Sequence, residues 1–433
     1  MSKPEATGRD PIGRAGGSAP QGTGAPPAVP APAGPAARVP RRLRRVYALA
    51  DFEDAARRHL PKPLFGYVAA ATETRASFRD NRAVFDEIQF LPRVLTDVSR
   101  RSQETTLFGR RWAQPFGIAP MGVTALTAYR GDLALAQAAA QANLVDIMSG
   151  SSLIRLEEVV QVAPNTWFQA YLPNEPQRIA ALVDRVAKAG FGTLVVTVDT
   201  AVVQNRENNL RVGFKTPLQP SFRLLWEGLT HPAWVTSTFL RTLLVHGMPH
   251  FENNFAERGE PLVSRKVDRD FAGREHLDWG DIARIRRQWT GNLVLKGILR
   301  PQDAQIAREH GVDGIIVSNH GGRQLDGAVS PMRMLPAVKA VAGDMTVMID
   351  SGFRRGTDIL KALALGAQYV FIGRPFNYAA AIGGEAGVRH AIAMLSAEIR
   401  ADMGLLGING LDELGPDLLH LGGSLRREID RAC

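Results

Sequence analysis

Eight short apolar runs recur between residues 115 and 374, and most are separated by one helix-sized segment. They are 115–121 (PFGIAPM), 145–150 (VDIMSG), 166–172 (TWFQAYL), 193–199 (TLVVTVD), 293–298 (LVLKGI), 314–319 (GIIVSN), 346–352 (TVMIDSG) and 369–374 (YVFIGR). Continuous β-branched runs suit strands covered on both faces, and strands alternating with helices predict parallel βα units. Helices are expected over 131–142, 176–189, 302–310 and 357–365. Pro301 suits a first turn and Thr357 a cap, and Gly190, Gly311 and Gly366 stand where helices should stop. Eight such units predict an α/β fold, a closed (β/α)8 or TIM barrel. An open doubly wound sheet is the alternative. It would be marked by Gly-x-Gly-x-x-Gly after the first strand. The chain has neither that motif nor a Walker A loop.

The spacing breaks once. Strand four starts at 193 and strand five at 293, so residues 200–276 are expected to be a long insertion on the C-terminal face, where barrels carry their active sites. The insertion contains Trp226, Trp234, Phe239, His250, Phe251 and Phe255, and reads as a lid, an oligomer contact or a membrane-facing patch.

Each run ends in residues that a hydrophobic core would not choose: Met121-Gly122, Ser149, Gln169 with Tyr171, Thr197 with Asp199, Lys296, Ser318 with His320, Asp350 with Gly352, and Gly373-Arg374. In a barrel all these tips converge on one mouth. The loops after strands seven and eight, DSGFRRG (350–356) and GRP (373–375), combine glycines with forked donors and suit a phosphorylated ligand. Lys296 inside an apolar strand needs a partner or a chemical role. It could form a Schiff base, place charge beside an anionic reduced cofactor, or make a salt bridge. His320 is the natural base near neutral pH, and Asp199 is placed to hold its imidazole. Arg323 can fork onto a carboxylate, and Arg206 offers a second cation. The histidines show no metal spacing, and no catalytic metal is expected.

Net charge is +9, of which +6 falls in residues 1–45. That segment is read as a disordered tail, because 25 of its first 40 residues are Ala, Pro or Gly. Arg41, Arg42, Arg44 and Arg45 suit anionic lipid or a solvated hinge. The remaining residues show no concentrated basic run, which argues against nucleic-acid binding. The one cysteine, Cys433, excludes an internal disulfide framework and fits a cytoplasmic location. No 18-residue apolar run exists to span a membrane.

From about Val46 to about Gly415 the chain resembles the FMN-dependent L-2-hydroxy acid oxidases and dehydrogenases, the family of glycolate oxidase, L-lactate dehydrogenase and mandelate dehydrogenase. The most specific stretch is 315–326 (IIVSNHGGRQLD), followed by DSGFRRGTDILKALALGA (350–367) and FIGRP (371–375), with support from TVDT (197–200) and FGYVAAATE (65–73). The resemblance implies FMN, a small 2-hydroxy acid substrate, an electron acceptor (quinone, oxygen or another carrier) and a homotetramer. It implies a helical cap over residues 46–90 that contributes Tyr67. His320 would be the base, with Asp199 behind it. Arg323 and Arg206 would hold the substrate carboxylate, and Tyr67 and Tyr171 would hydrogen-bond the substrate. Lys296 would face the flavin N1/C2 edge. Ser149, Gln169, Thr197 and Ser318 would contact the ring, along with Pro120, Met121 and Gly122. Asp350, Gly352 and Arg354 would hold the ribityl and phosphate, with Gly373 and Arg374 completing the cup.

There are departures. Met121 lacks the hydroxyl common in relatives, and Gly122 rather than Ala leaves room beside the flavin and leans toward poor oxygen reactivity. Ser151 replaces the bulky aromatic of glycolate oxidases and suits a larger substrate. Ser351 stands where Gly is more usual. The expected activity is dehydrogenation of a lactate-like acid, with peripheral contact at the inner membrane face. The alternatives are a peroxide-forming oxidase, a relative acting on a larger acid such as mandelate, a Schiff-base aldolase using Lys296, and a non-catalytic flavin-binding or membrane-docking protein.

Overall fold

The computed structural model describes residues 40–214, 222–264, 274–423 and 425–426. The expected tail lies outside these up to residue 39. Arg41–Leu43 forms a 3-10 turn with Leu43 buried, so the folded body begins before residue 46.

The eight runs form eight parallel strands: β1 (Phe116–Ile118), β2 (Ile147–Ser149), β3 (Trp167–Ala170), β4 (Thr193–Thr197), β5 (Asn292–Ile298), β6 (Gly314–Val317), β7 (Thr346–Ile349) and β8 (Tyr369–Ile372). Each pairs with its sequence neighbour and β8 pairs with β1, while β1 and β2 are joined by the single bridge Ile118↔Asp146. Most strands are shorter than the runs because their polar tips leave the ladder for the mouth.

Both faces are buried, as the unbroken apolar runs require. Val195, Val294, Ile316, Met348 and Phe371 fill the barrel interior, while their neighbours in the chain pack outward against helices. The hairpin Thr105–Leu107/Arg110–Trp112 adds Leu107 and Trp112 to the interior cluster.

Three cap helices, α1 (Leu49–His59), α2 (Lys62–Ala69) and α3 (Ala76–Ala83), precede the barrel. The barrel helices are α4 (Gly131–Gln141), α5 (Leu156–Val162), α6 (Pro176–Ala189), α7 (Trp279–Gln288), α8 (Pro301–Glu309), α9 (Pro331–Val341), α10 (Gly356–Ala364) and α11 (Arg374–Leu406). α11 kinks at Gly384, whose φ is +56°. Thr357 is not a cap. Arg355 takes that position, and Asp358 reaches back to accept from the Arg354 and Arg355 amides at 2.8 and 3.1 Å. A carboxylate in the first turn does the same work and also complements the helix dipole.

The insertion lies between β4 and α7. Its described helices are Glu207–Val212, Phe222–Thr230, Pro232–Trp234 and Arg241–His246, with a π-helical turn at Val235–Leu240. Trp234 anchors it: the indole is buried, donates to the Leu126 carbonyl at 2.8 Å and stacks on Phe239.

At the thin β1–β2 junction the buried Tyr369 hydroxyl donates to the Phe116 carbonyl at 2.6 Å and accepts from the Val145 amide at 3.2 Å. Tyr369→Phe leaves both groups buried without that partner, so stability to urea should fall by about 1–3 kcal/mol. An unchanged unfolding midpoint would mean that the hydroxyl does not hold the junction.

Candidate active site

The strand tips surround a cavity of about 660 Å³ at the C-terminal mouth, within the range that holds a sizeable ligand. Tyr67, Pro120, Met121, Gly122, Tyr171, Thr197, Arg206, Lys296, His320, Arg323, Asp350, Gly352, Arg354, Gly373 and Arg374 line it. Of the expected residues, Asp199, Ser149, Gln169 and Ser318 stand behind this lining.

His320 follows β6 in a turn of three left-handed residues, with φ of +58°, +67° and +71° at His320, Gly321 and Gly322. Its Nδ1 lies 3.0 and 3.3 Å from the two carboxylate oxygens of Asp199, beyond β4, so Nδ1–H donates there and Nε2 keeps its lone pair. Asp199 fits because β5 bulges at Gly297, whose φ is +111° and where a Cβ would meet the Asp199 Cβ at 2.7 Å. Burial pushes the His320 pKa below its ordinary value of 6.5, and Lys296 and Arg206 add to this against the opposing pull of Asp199. The imidazole is therefore neutral at neutral pH. Burial alone would raise the Asp199 carboxyl, but His320 and Lys296 outweigh it and hold the group ionised.

Lys296 on β5 is buried, 3.0 Å from Asp350 Oδ2 and 3.0 Å from Ser318 Oγ. Burial disfavours its charge, yet Asp350 and Asp199 outweigh that and lift the pKa above its ordinary value. A Schiff base needs a neutral amine, so this environment opposes the aldolase chemistry.

The cap and barrel meet through arginines. α2 ends at Ala69, where a helix leaves carbonyls without intrahelical partners. Arg323 Nη1 donates to the carbonyls of Tyr67, Val68 and Ala70 at 2.9–3.1 Å. Arg374 donates to Val68, Ala70 and Gly321 at 2.7–3.1 Å. Arg206 Nε donates to the Arg323 carbonyl at 3.1 Å. Burial, together with the nearby Arg323 and Arg354 charges, pushes the Arg374 pKa down to about 9, and burial lowers Arg354 too. Clustered arginines of this kind call for an anion.

The residues present fit FMN. Ser149 Oγ donates to Gln169 Oε1 at 3.1 Å, which fixes the amide with its NH2 left to donate elsewhere. Gln169 Nε2 and Thr197 Oγ1 are buried without a protein partner. Such groups at adjacent strand tips suit the polar edge of a heterocycle. Gly352, at φ +91°, packs so closely on the cap that a Cβ would lie 2.0 Å from the Asn81 carbonyl oxygen. Gly373 and the two arginines beside it suit a phosphate. Among the described residues no group of three or more His, Cys, Asp or Glu is placed to hold a metal ion.

Several lining residues were not anticipated. Phe214 from the insertion is buried and stacks on Tyr67 at 4.4 Å between ring centres, and Phe251 forms another part of the wall. The reciprocal Asn81–Asn319 amide pair, with both bonds at 2.8 Å, ties α3 to the His320 turn. No local pattern announces either contact, although Phe251 is conspicuous in the sequence as an apolar residue in a polar loop. The room expected at Gly122 is taken up by its neighbour, since a Cβ there would lie 2.9 Å from Ser151 Cβ.

The family of FMN-dependent dehydrogenases matches residues 56–421. (S)-mandelate dehydrogenase of Pseudomonas putida is 36% identical over 387 residues, covering 88% of this chain and 95% of that protein. L-lactate dehydrogenase of Pectobacterium atrosepticum is 38% identical over 379 residues, covering 86% and 97%. The crystal structure of (S)-mandelate dehydrogenase, described as a monotopic membrane protein, superposes with a TM-score of 0.80 at 35% identity, covering 87% of this chain and all of that one. A mandelate oxidase structure gives 0.71 at 34%, covering 87% and 99%. The barrel, its mouth and these matches agree: the chain belongs to the FMN-dependent dehydrogenase family.

Proposed function

We propose that the protein oxidises an L-2-hydroxy acid to the 2-oxo acid and passes the electrons to a membrane-soluble quinone or another carrier. The observation that carries this reading is the half-buried His320, held by Asp199 at 3.0 Å in a mouth rich in cations. FMN, when bound, supplies the acceptor for the substrate's electron pair. Arg323 and Arg206 hold the substrate carboxylate, and Tyr67 and Tyr171 orient the substrate. His320 Nε2 takes a proton from it, and Asp199 stabilises the imidazolium that forms. Lys296 places positive charge beside the cofactor ring. Ser149, Gln169, Thr197 and Ser318 set the polar edge around that ring, and Pro120, Met121 and Gly122 flank it. Asp350, Gly352, Arg354, Gly373 and Arg374 hold the ribityl phosphate.

A specific observation favours an acid larger than lactate. Ser151 is small and lines the cavity along with the apolar wall of Phe214 and Phe251. Of the relatives named above, the mandelate dehydrogenase and the mandelate oxidase fit that space, while the L-lactate dehydrogenase stands for the smaller acid.

The insertion supports a peripheral membrane contact. On helix Phe222–Thr230, Phe222, Leu225, Trp226 and Leu229 are all more than 60% exposed and recur at helical spacing, while Glu227 is buried and accepts from the Lys62 amide at 2.9 Å. Leu244 and Val245 add to the exposed apolar surface. A stripe of this kind is what an interfacial helix presents to a bilayer. No described helix is long and apolar enough to cross one. A tetramer, implied by the resemblance, belongs to the same proposal; exposed Val94 and Leu95 are available for such contacts.

His320→Ala should keep its yellow colour and lose flavin reduction by about two or more orders of magnitude. Reduction near the parent rate would remove His320 from the chemistry. Because the His320 pKa is depressed, the reactive neutral form dominates at pH 7 and is lost only as pH falls below the ordinary histidine range. The reduction rate should therefore be flat near neutrality and drop on acidification. A midpoint above 6.5 would contradict the assigned environment. The double variant Trp226→Glu/Leu229→Glu should move from sedimenting vesicles to the supernatant with its anaerobic reduction rate unchanged. Continued sedimentation would place the membrane contact elsewhere.

A further inference from the structure

Ser351 follows Asp350 with φ +82°, a backbone conformation that glycine adopts freely and other residues rarely do. Glycine would relieve that strain, so the serine adds only its hydroxyl, and the hydroxyl has two partners. It accepts from the Gly321 amide at 3.0 Å and donates to Asp350 Oδ1 at 2.8 Å. Ser351 is buried.

Those two bonds complete a ring. Asp350 Oδ2 lies 3.0 Å from Lys296 Nζ, and Lys296 donates to Ser318 Oγ at 3.0 Å. Ser318 Oγ accepts from the His320 amide at 3.0 Å, and the next peptide, Gly321, donates back to Ser351. The left-handed turn at His320–Gly322 is thus held by side chains. Its first two amides go to serine hydroxyls, and the third goes to Asn319, at 3.0 Å to the carbonyl and 3.1 Å to the side chain. Asp199 fixes one ring atom of His320, but the backbone turn fixes where the ring starts.

We propose that Ser351 is a positioning residue for His320: its hydroxyl pins the left-handed turn and ties it to the Lys296–Asp350 ion pair. The proposal rests on His320 being the base. An error of about one ångström in the position of a reacting group costs up to about a hundredfold in rate. A turn released from one of its bonds drifts by part of that.

The test compares Ser351→Gly and Ser351→Ala with the parent, each as the full-length FMN-loaded protein. Glycine removes both hydroxyl and strain, whereas alanine removes the hydroxyl and keeps the strain. Anaerobic flavin bleaching at saturating L-mandelate should slow about tenfold or more in both, with KM and FMN affinity within about threefold. In the FMN-free protein, amide exchange over 316–326 should accelerate about tenfold in Ser351→Gly, with exchange around Asp199 unchanged. Parent-like bleaching and exchange in Ser351→Gly would overturn the proposal. So would rescue by glycine of a defect seen with alanine, because strain would then be the whole effect. Loss of FMN in step with activity would make Ser351 a cofactor contact instead. Should L-mandelate fail to bleach the parent, the exchange measurement alone decides whether the hydroxyl holds the turn. Should the alanine variant fail to fold, the glycine variant carries the comparison.

Discussion

Positive charge gathered at the barrel mouth has to be held in place by the fold around it. Arg206, Lys296, Arg323, Arg354 and Arg374 gather there against two carboxylates, Asp199 and Asp350, while His320 is neutral. That leaves a surplus of three positive charges in a partly buried cavity, a costly arrangement unless anions compensate it. A phosphate near its dianionic form and one substrate carboxylate supply about that much negative charge. The fold meets the remaining cost with the free carbonyls at the end of α2, which accept from Arg323 and Arg374. The cap is thus bound to the barrel by side chains that also line the cavity.

His320 sits within that field. An imidazole in a cationic pocket stays neutral, while the one carboxylate behind it fixes the tautomer and the orientation of the ring. The β5 bulge at Gly297 is the local defect that admits Asp199. The left-handed turn at 320–322 is the second departure from regular geometry. The bulge lies near the C-terminal end of β5, one residue before the last β5–β6 pair Ile298↔Val317, and the turn lies beyond the end of β6, where no ladder constrains the backbone.

Much of this is legible from sequence for one reason. Strands buried on both faces are uniformly apolar, so polar residues stand out where each strand ends. Ser318, Lys296, Asp350 and Arg374 are conspicuous on that basis alone. The helices follow from their stops, as at Gly190, which has φ +95°. What escapes depends on contacts far apart in the chain. Phe214 reaches Tyr67 only because the insertion folds onto α2, and Asn81 meets Asn319 across 238 residues. Thr357 has the chemistry of a cap, but the helix starts at Gly356, and the carboxylate of Asp358 reaches back to the Arg354 and Arg355 amides that precede it. Gly122 suggests open room, but Ser151, from the next βα loop, fills it.

The most direct measurement is anaerobic. The protein is loaded with FMN, and its visible spectrum is followed as L-mandelate, L-lactate and their D-enantiomers are added in turn. The expected result is that an L-2-hydroxy acid bleaches the flavin and its D-enantiomer does not, with the larger acid preferred. A protein that takes up no FMN, or whose FMN none of these acids bleaches, would contradict it.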